Sequence, residues 1–509
     1  MRSLRKTISL EDVLWLHIAL ALLALTGCAS VGPDYVRPEI AVSRDWHSPL
    51  RIGLTSKEAG TEGLSAWWTI FNDPRLSSLI DRALAGSLDL KKAQARVREA
   101  RARKRVAKGG LFPTLDFTGS ATRNWASGSS TPVGSPAISS LGTSGSQLTS
   151  GTSSLYNTGF DAAWEVDIFG GLRRSLEAAE GDLQASEEDL RDVLVSLVAE
   201  VATNYVEVRS YQARLDVAQK NLGTQSETYR LTVWQYEAGL NDELNVQQAR
   251  YNLESTRSQI PDLSTGLEGA MNRIAVLLGE RPGTIHGELK TPGPIPVTPL
   301  QVAIGIPADM LRRRPDVRRA ERQLAAQTAR VGVATADLYP KLTLSGSIGL
   351  EALSASKLFS SPIRTAGGGP QITWPIFHGG VLRHTIEVQS ALQEQYLIAY
   401  ETAVLGATEE VENALVAYAE EHAKRDSLRV AEEAARKAAD LAEHKYEAGL
   451  VDFVNVLDTQ RSLLSFQDQL AQSNGAATTD LIRLYKALGG GWESLLPSEN
   501  SVSANGGTK

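Results

Sequence analysis

The chain has 509 residues, 42% apolar and 22% charged, an ordinary globular composition that argues against disorder over its whole length. A formal charge of −7 speaks against a nucleic-acid partner, because such binders carry a basic surface. Seven scattered histidines and one cysteine leave no material for a disulfide framework or a structural zinc site.

Arg2, Arg5 and Lys6 precede a largely apolar run from Val13 to Leu25, which ends in Leu25-Thr26-Gly27-Cys28. This is the layout of a secretory signal, and its last four residues match the bacterial lipobox. The alternative is an ordinary secretory signal with a chance cysteine. Residues 1–27 are therefore expected to be a lipoprotein signal peptide, with Cys28 as the first mature residue. The only non-protein group expected is the covalent N-acyl diacylglycerol on Cys28; no cofactor and no metal is expected. Ala29 stands where an inner-membrane retention signal places Asp, so outer-membrane sorting is expected by analogy. Residues 28–66 read as an extended, lipid-anchored segment. No later stretch reaches 18 apolar residues, which excludes a membrane-spanning helix downstream.

From residue 67 the stretch WWTIFNDPRLSSLIDRAL predicts a helix started by Asp73-Pro74, with the acid as cap and the proline at the first helical position. Its apolar face is Leu76, Leu79, Ile80, Ala83 and Leu84. Arg314-Pro315-Asp316 predicts a second start of the same kind.

Four segments alternate with period two. Leu115, Phe117, Gly119 and Ala121 form the first, and Tyr156, Phe160, Ala162, Trp164 and Val166 the second. Leu342, Leu344, Ile348 and Leu350 form the third, and Ile372, Trp374 and Ile376 a weaker fourth. Each is about ten residues long, with Phe112, Trp164, Tyr339 and Trp374 near the ends, as tilted strands crossing a bilayer require. Half-buried strands of a soluble sandwich are the alternative; the lipobox favours the membrane. Residues 126–154, with 20 Gly, Ser or Thr among 29 and no charge, read as an exposed loop, and 351–369 as its shorter equivalent. Four strands cannot close a barrel, and an open edge in lipid leaves backbone groups unsatisfied. The strands must be shared between chains.

No proline lies between Pro136 and Pro261 or between Pro375 and Pro497, and both windows are rich in helix formers. Leu176, Leu183, Leu190 and Leu197 recur every seven residues, as do Val201, Val208, Leu215 and Leu222, which reads as coiled-coil packing. A helix from Gly171 to Tyr236 is predicted, with a returning helix of some 35 to 40 residues.

Each rod meets the pentapeptide YEAGL, at Tyr236–Leu240 and again at Tyr446–Leu450. The same offset of 210 carries Asn245 onto Asn455 and LLGE (277–280) onto ALGG (487–490), while LFPTLDFTGS (111–120) resembles LYPKLTLSGS (338–347) at an offset of 227. The chain is thus a tandem duplication. The divisions expected are a first repeat over 67–280, a Pro-rich linker over 281–299, a second repeat over 300–490 and a tail over 491–509. Gly239 and Gly449 suit left-handed helix endings, and Asp242 and Asp452 suit the caps of the returning helices, so each YEAGL reads as a hairpin tip.

Residues VGPDYVRP (31–38) after the lipobox, WWTIFNDPRL (67–76), LRRRPDVRRAE (311–321), LYP (338–340) and the doubled YEAGL together resemble the TolC-like outer membrane factors, in their NodT-type lipoprotein branch. The resemblance covers nearly all of the mature chain. It implies a mainly α fold with membrane β: a homotrimer pooling four strands per chain into a 12-stranded outer-membrane β-barrel that continues into a long periplasmic α-helical coiled-coil barrel. It further implies a passive channel, gated at its periplasmic tip, in a tripartite efflux system with a periplasmic adaptor (membrane fusion protein) and an inner-membrane transporter of RND type. The other functions weighed are a structural outer-membrane lipoprotein without a pore and an exit duct for type I protein secretion. No catalytic constellation is present, and enzymatic activity is not expected.

Carried over by the resemblance, Asn455 and Asp458 match the family's two constriction acids, so Asn455 is a departure; Val451 stands where some members have Arg. Asn245 and Gln248 are the corresponding positions of the first copy. Gln248 and Asp458 differ, which places the expected gate chemistry mainly in the second copy, behind Tyr446.

Overall fold

The computed structural model describes residues 30–39, 45–52, 54–55, 64–126, 151–296, 302–303 and 311–492. Cys28, the signal peptide and most of the Gly/Ser/Thr-rich 126–154 stretch and of the 491–509 tail lie outside these residues. In chain order the elements are β1 (Leu54–Thr55), α1 (Pro74–Gly86), α2 (Leu88–Gly109), β2 (Thr114–Ala126), β3 (Gly151–Val166), α3 (Gly171–Glu237) and α4 (Glu243–Leu277). Then follow β4 (Val302–Ala303), α5 (Pro315–Ala336), β5 (Lys341–Ala352), β6 (Ile363–Thr373), α6 (Val381–Glu447) and α7 (Phe453–Ala487). The duplication is exact in length at its hairpins: α3 and α6 have 67 residues each, α4 and α7 have 35 each.

Contacts divide the chain into two units. The first comprises the residues up to Val36, Arg101–Gly181 and Ala325–Gln395. Its core feature is an antiparallel sheet in the order β2-β3-β5-β6. Phe117 pairs with Phe160, Phe160 with Ile348 and Ile348 with Ala366, so the alternating apolar residues form one face. That face is uncovered among the described residues: Phe117 is 68% and Ile348 64% exposed. The other face carries Asp116, Asp161, Ser347 and Gly367 in one row. Trp164 donates its indole N–H to the Leu111 carbonyl at 3.0 Å, and its repeat counterpart Trp374 donates to Leu338 at 3.1 Å. Such amphipathic rings with a tied polar end suit a membrane interface.

The fourth strand departs from expectation. It runs over Ile363–Thr373, starting inside the 351–369 stretch read as loop; it takes in Ile372 but ends before Trp374 and Ile376. Gly367, Gly368, Gly369 and Pro370 hide it from a periodicity reading. Glycine is needed there, because a Cβ on Gly368 would lie 2.8 Å from the Ser345 carbonyl oxygen, and Pro370 is tolerated because β6 is an edge strand.

The VGPDY segment belongs to this unit. Arg174 of α3, itself buried, donates to the carbonyls of Val31 and Gly32 at 3.2 and 3.4 Å and to Asp34 at 2.6 Å. Gly32, in the left-handed region, lies where a Cβ would come within 2.5 Å of the Gly332 backbone.

The second unit comprises Arg37–Ala100, Asp182–Leu324 and the residues from Tyr396 on. Asp73 caps α1 as expected, accepting from the Arg75 and Leu76 amides at 2.9 and 3.3 Å, and it also accepts from the Tyr205 hydroxyl at 2.6 Å. Burial, with Asp73 beside it, pushes the Tyr205 phenol up to about 12. Leu76, Leu79 and Ile80 are fully buried in a core with Trp67, Val201, Ile274, Tyr418 and Leu481, and Trp67 stacks on Tyr485 at 5.5 Å.

The returning helix α4 has the expected length and runs through Pro261 to Leu277. Proline there removes one helix hydrogen bond and crowds the preceding turn, at about 3 kcal/mol in an exposed helix; the repeat counterpart in α7 is Ala471. Pro261→Ala is expected to raise the thermal midpoint of the purified protein by several degrees, read by circular dichroism. An unchanged midpoint would mean that Pro261 sits at a bend the fold requires.

Candidate functional site

The two YEAGL turns are built alike. After α3 the Leu240 amide donates to the Gln235 carbonyl and the Gly239 amide to Tyr236, at 2.8 and 2.9 Å. After α6 the Leu450 amide donates to Lys445 and the Gly449 amide to Tyr446, again at 2.8 and 2.9 Å. Both glycines have φ of +72°, the conformation that closes a helix by this double bond and that a Cβ disfavours.

The caps differ. Asp242 accepts from the Asn245 amide at 3.1 Å, as expected. Asp452 occupies the cap position of α7 but its carboxylate makes no capping bond; the Asn455 amide and side chain instead donate to the Asp452 carbonyl at 3.0 and 3.2 Å. Asn455 is spent on its own helix start, and the Asn245 side chain likewise donates to Asn241.

Bonds between the hairpins join one copy to the other. The Tyr446 hydroxyl donates to Gln235 at 3.1 Å, and the Tyr446 ring lies 5.3 Å from Phe453, over a small cluster of Ala249, Ala442, Val456 and Leu457. Tyr236, its counterpart, is exposed. Further along, Arg461 donates to the Tyr251 hydroxyl at 3.0 Å and to Asn252 at 3.1 Å. Asp458 is 62% exposed and stands 3.6 Å from Arg461 on the same helix; Gln248, its counterpart, has a carbonyl oxygen buried without a partner among the described residues.

The residues read from the sequence thus lie at the tips, but Gln235, Tyr251, Asn252 and Arg461 were missed. The duplication carried a signal for one pair, since Tyr251 and Arg461 are separated by the repeat offset of 210 and meet across the pseudo-twofold relation. Asp458 is not an isolated negative charge, because Arg461 neighbours it. Each second-copy donor, Tyr446 and Arg461, has its acceptor in the first copy.

Two hairpins per chain, doubled strands and a uniform repeat are matched in known proteins. The outer membrane efflux protein family profile matches residues 79–280 and 306–490. The chain belongs to that family. This efflux protein is 33% identical over 466 residues to nodulation protein T of Rhizobium leguminosarum bv. trifolii, covering 92% of this chain and 94% of the relative. It is 33% identical over 492 residues to the pyoverdine export outer membrane protein OpmQ of Pseudomonas putida, covering 95% and 99%. The solved outer-membrane channel OprN has 36% identity and a TM-score of 0.82, over 91% of this chain and 99% of that one. The protein is an outer membrane channel of efflux.

Proposed function

We propose that three copies of the efflux protein assemble into one duct, each lending four strands to a 12-stranded barrel in the outer membrane. The helical hairpins then enclose a periplasmic passage. The observation that carries this is the four-stranded sheet with two unpaired edges and an uncovered apolar face. Placed in lipid, β2 and β6 would leave rows of unsatisfied amides and carbonyls at several kcal/mol each. Pairing β6 of one chain with β2 of the next removes both edges.

Cys28, acylated, anchors the chain, and the Arg174 contacts fix the segment that follows it. The duct supplies no energy of its own: a periplasmic adaptor docks at the six hairpin tips and an RND-type inner-membrane transporter drives solutes through. The contacts Tyr446–Gln235 and Arg461–Tyr251 act as latches of the gate. Gly239, Gly449, Asp242 and Asp452 shape its turns, while Tyr236, Asn245, Gln248 and Asn455 line up with the latch residues along the hairpins. The Asp458 carboxylate, repeated threefold, would draw cations to the aperture. Asp458→Ala is expected to lower the cation-to-anion permeability ratio of the reconstituted channel by a factor of roughly two to three. Reversal potentials in a salt gradient measure it, and an unshifted potential removes Asp458 from the aperture.

A further inference from the structure

In the unit that holds the sheet, four helices succeed one another laterally. Lys104 of α2 pairs with Glu180 of α3 at 2.9 Å. Gly181 of α3 is so close to α5 that a Cβ there would lie 2.9 Å from that of Ala326. Gln327 and Thr328 of α5 bond Gln389 and Gln393 of α6 at 2.7 and 3.0 Å. The outer faces of α2 and α6 are therefore the two ends of a row, as β2 and β6 are the two edges of the sheet.

Those end faces are opposite in charge. On α2, the stripe opposite buried Val97 and Ala100 carries Ala95, Ala102 and Val106, with Arg98 and Arg105 along one flank. On α6, the stripe opposite Gln389 and Gln393 carries His384, Ala391 and Ile398, with Glu387 and Glu394 along one flank. All four charged residues are exposed, and neither arginine has a carboxylate partner among the described residues. Each pair is spaced by seven, the repeat that keeps flanking charges beside an apolar seam. Because α2 leads into β2 and α6 leads away from β6, the two helices run in opposite directions. For antiparallel helices meeting on these stripes, both flanks, one-sixth of a turn to the same rotational side, fall on the same side of the seam.

The duplication supplies the register. Inside the chain, a Cβ on Gly171 of α3 would lie 3.1 Å from that of Ala336 of α5. Adding 210 to α3 positions gives α6, and subtracting 227 from α5 positions gives α2. The pair becomes Val381 with Gly109, and Gly181 with Ala326 becomes Ala391 with Glu99. Glu387 then falls level with residue 103 and Glu394 with residue 96. Each lies about 3 Å along the axis from Arg105 and Arg98 respectively.

We propose that α6 of one chain packs on α2 of a second copy through this ladder, Glu387 to Arg105 and Glu394 to Arg98. The proposal rests on the trimer of the preceding subsection and assigns the chemistry of its seam. The internal α3–α5 seam has Gly332 and Ala325 at the arginine positions and Glu177 and Gln184 at the glutamate positions. The ladder therefore marks chain-to-chain contact alone and disfavours α6 closing on the wrong partner.

The test uses the full-length acylated protein in detergent, with subunit number read by native mass spectrometry across a detergent or salt series. Glu387→Lys/Glu394→Lys is expected to raise the dissociated fraction roughly tenfold, and adding Arg98→Glu/Arg105→Glu is expected to restore the wild-type value. A reversed pair that remains as trimeric as wild type, or a fourfold swap that restores nothing, overturns the ladder while leaving the trimer intact. A wild-type protein that is monomeric overturns both. Independently of charge, Gly109→Cys with Val381→Cys is expected to give disulfide-linked dimers and trimers on a non-reducing gel, since the internal counterpart places the Cβ atoms within bridging range. Absence of those bands overturns the register.

Discussion

Reconstituted in planar bilayers, the Tyr446→Phe/Arg461→Ala variant is expected to spend far more time in a high-conductance state than the wild type. Tyr446–Gln235 is a hydrogen bond between neutral groups, of about 1 kcal/mol net. The two bonds from Arg461 are charge-assisted and stronger, but the side chain is half exposed, which discounts them to about 1 kcal/mol together. Roughly 2 kcal/mol per chain, over three chains opening together, is about 6 kcal/mol, or some four orders of magnitude in the closed-to-open ratio. Phenylalanine keeps the packing of the Tyr446 ring on Phe453 and removes only the donor, so folding is preserved. Conductance unchanged by the double substitution would show that these bonds hold the hairpins without controlling the passage.

Arg314→Ala is expected to destabilise the fold by about 2–3 kcal/mol, the cost of leaving the Ala487 carbonyl and the partly buried Asp316 carboxylate without their donor, since Glu410 is exposed and can turn to water. Arg314, 6% exposed, donates to the Ala487 carbonyl at the end of α7 at 2.6 Å, to Asp316 at 2.7 Å and to Glu410 at 2.6 Å. Burial works against the charge, yet the bonds to Asp316 and Glu410 outweigh it and hold the guanidinium pKa above its usual value. Burial pushes the Asp316 carboxyl up, yet the Arg314 guanidinium and the Val317 amide outweigh it and hold that carboxyl below its usual value. One side chain thereby closes the last turn of α7 and ties it to the start of α5 and the middle of α6. Arg314→Lys keeps the charge but loses the planar fork, and recovers only part of the stability. Urea denaturation monitored by tryptophan fluorescence measures both variants; a wild-type midpoint for Arg314→Ala would make the cluster incidental.

Much of this fold was legible because the chain repeats itself. The positions of both hairpins follow from YEAGL and the offset of 210, and Asp73-Pro74 and Arg314-Pro315-Asp316 marked helix starts that the structure confirms. Period-two alternation located three strands. It failed for most of β6, where glycines admitted for close strand approach carry no apolar signal. At the tips the turn residues could be read, since glycine and aspartate report local backbone needs. The latches could not, because Gln235, Tyr251 and Asn252 become partners of Tyr446 and Arg461 only when two hairpins over 200 residues apart pack together. Likewise Asp452 stands in a cap position without capping, a choice made by Asn455 rather than by the aspartate itself.

In the proposed assembly, open four-stranded sheets from separate chains close into a conducting duct. Single-channel recording from purified, acylated protein in planar bilayers tests it most directly. Discrete, reproducible conductance steps are predicted, infrequent for the wild type and sustained for Tyr446→Phe/Arg461→Ala. Bilayers that hold inserted protein but show no steps for either form would contradict a duct and leave a coiled-coil lipoprotein without a pore.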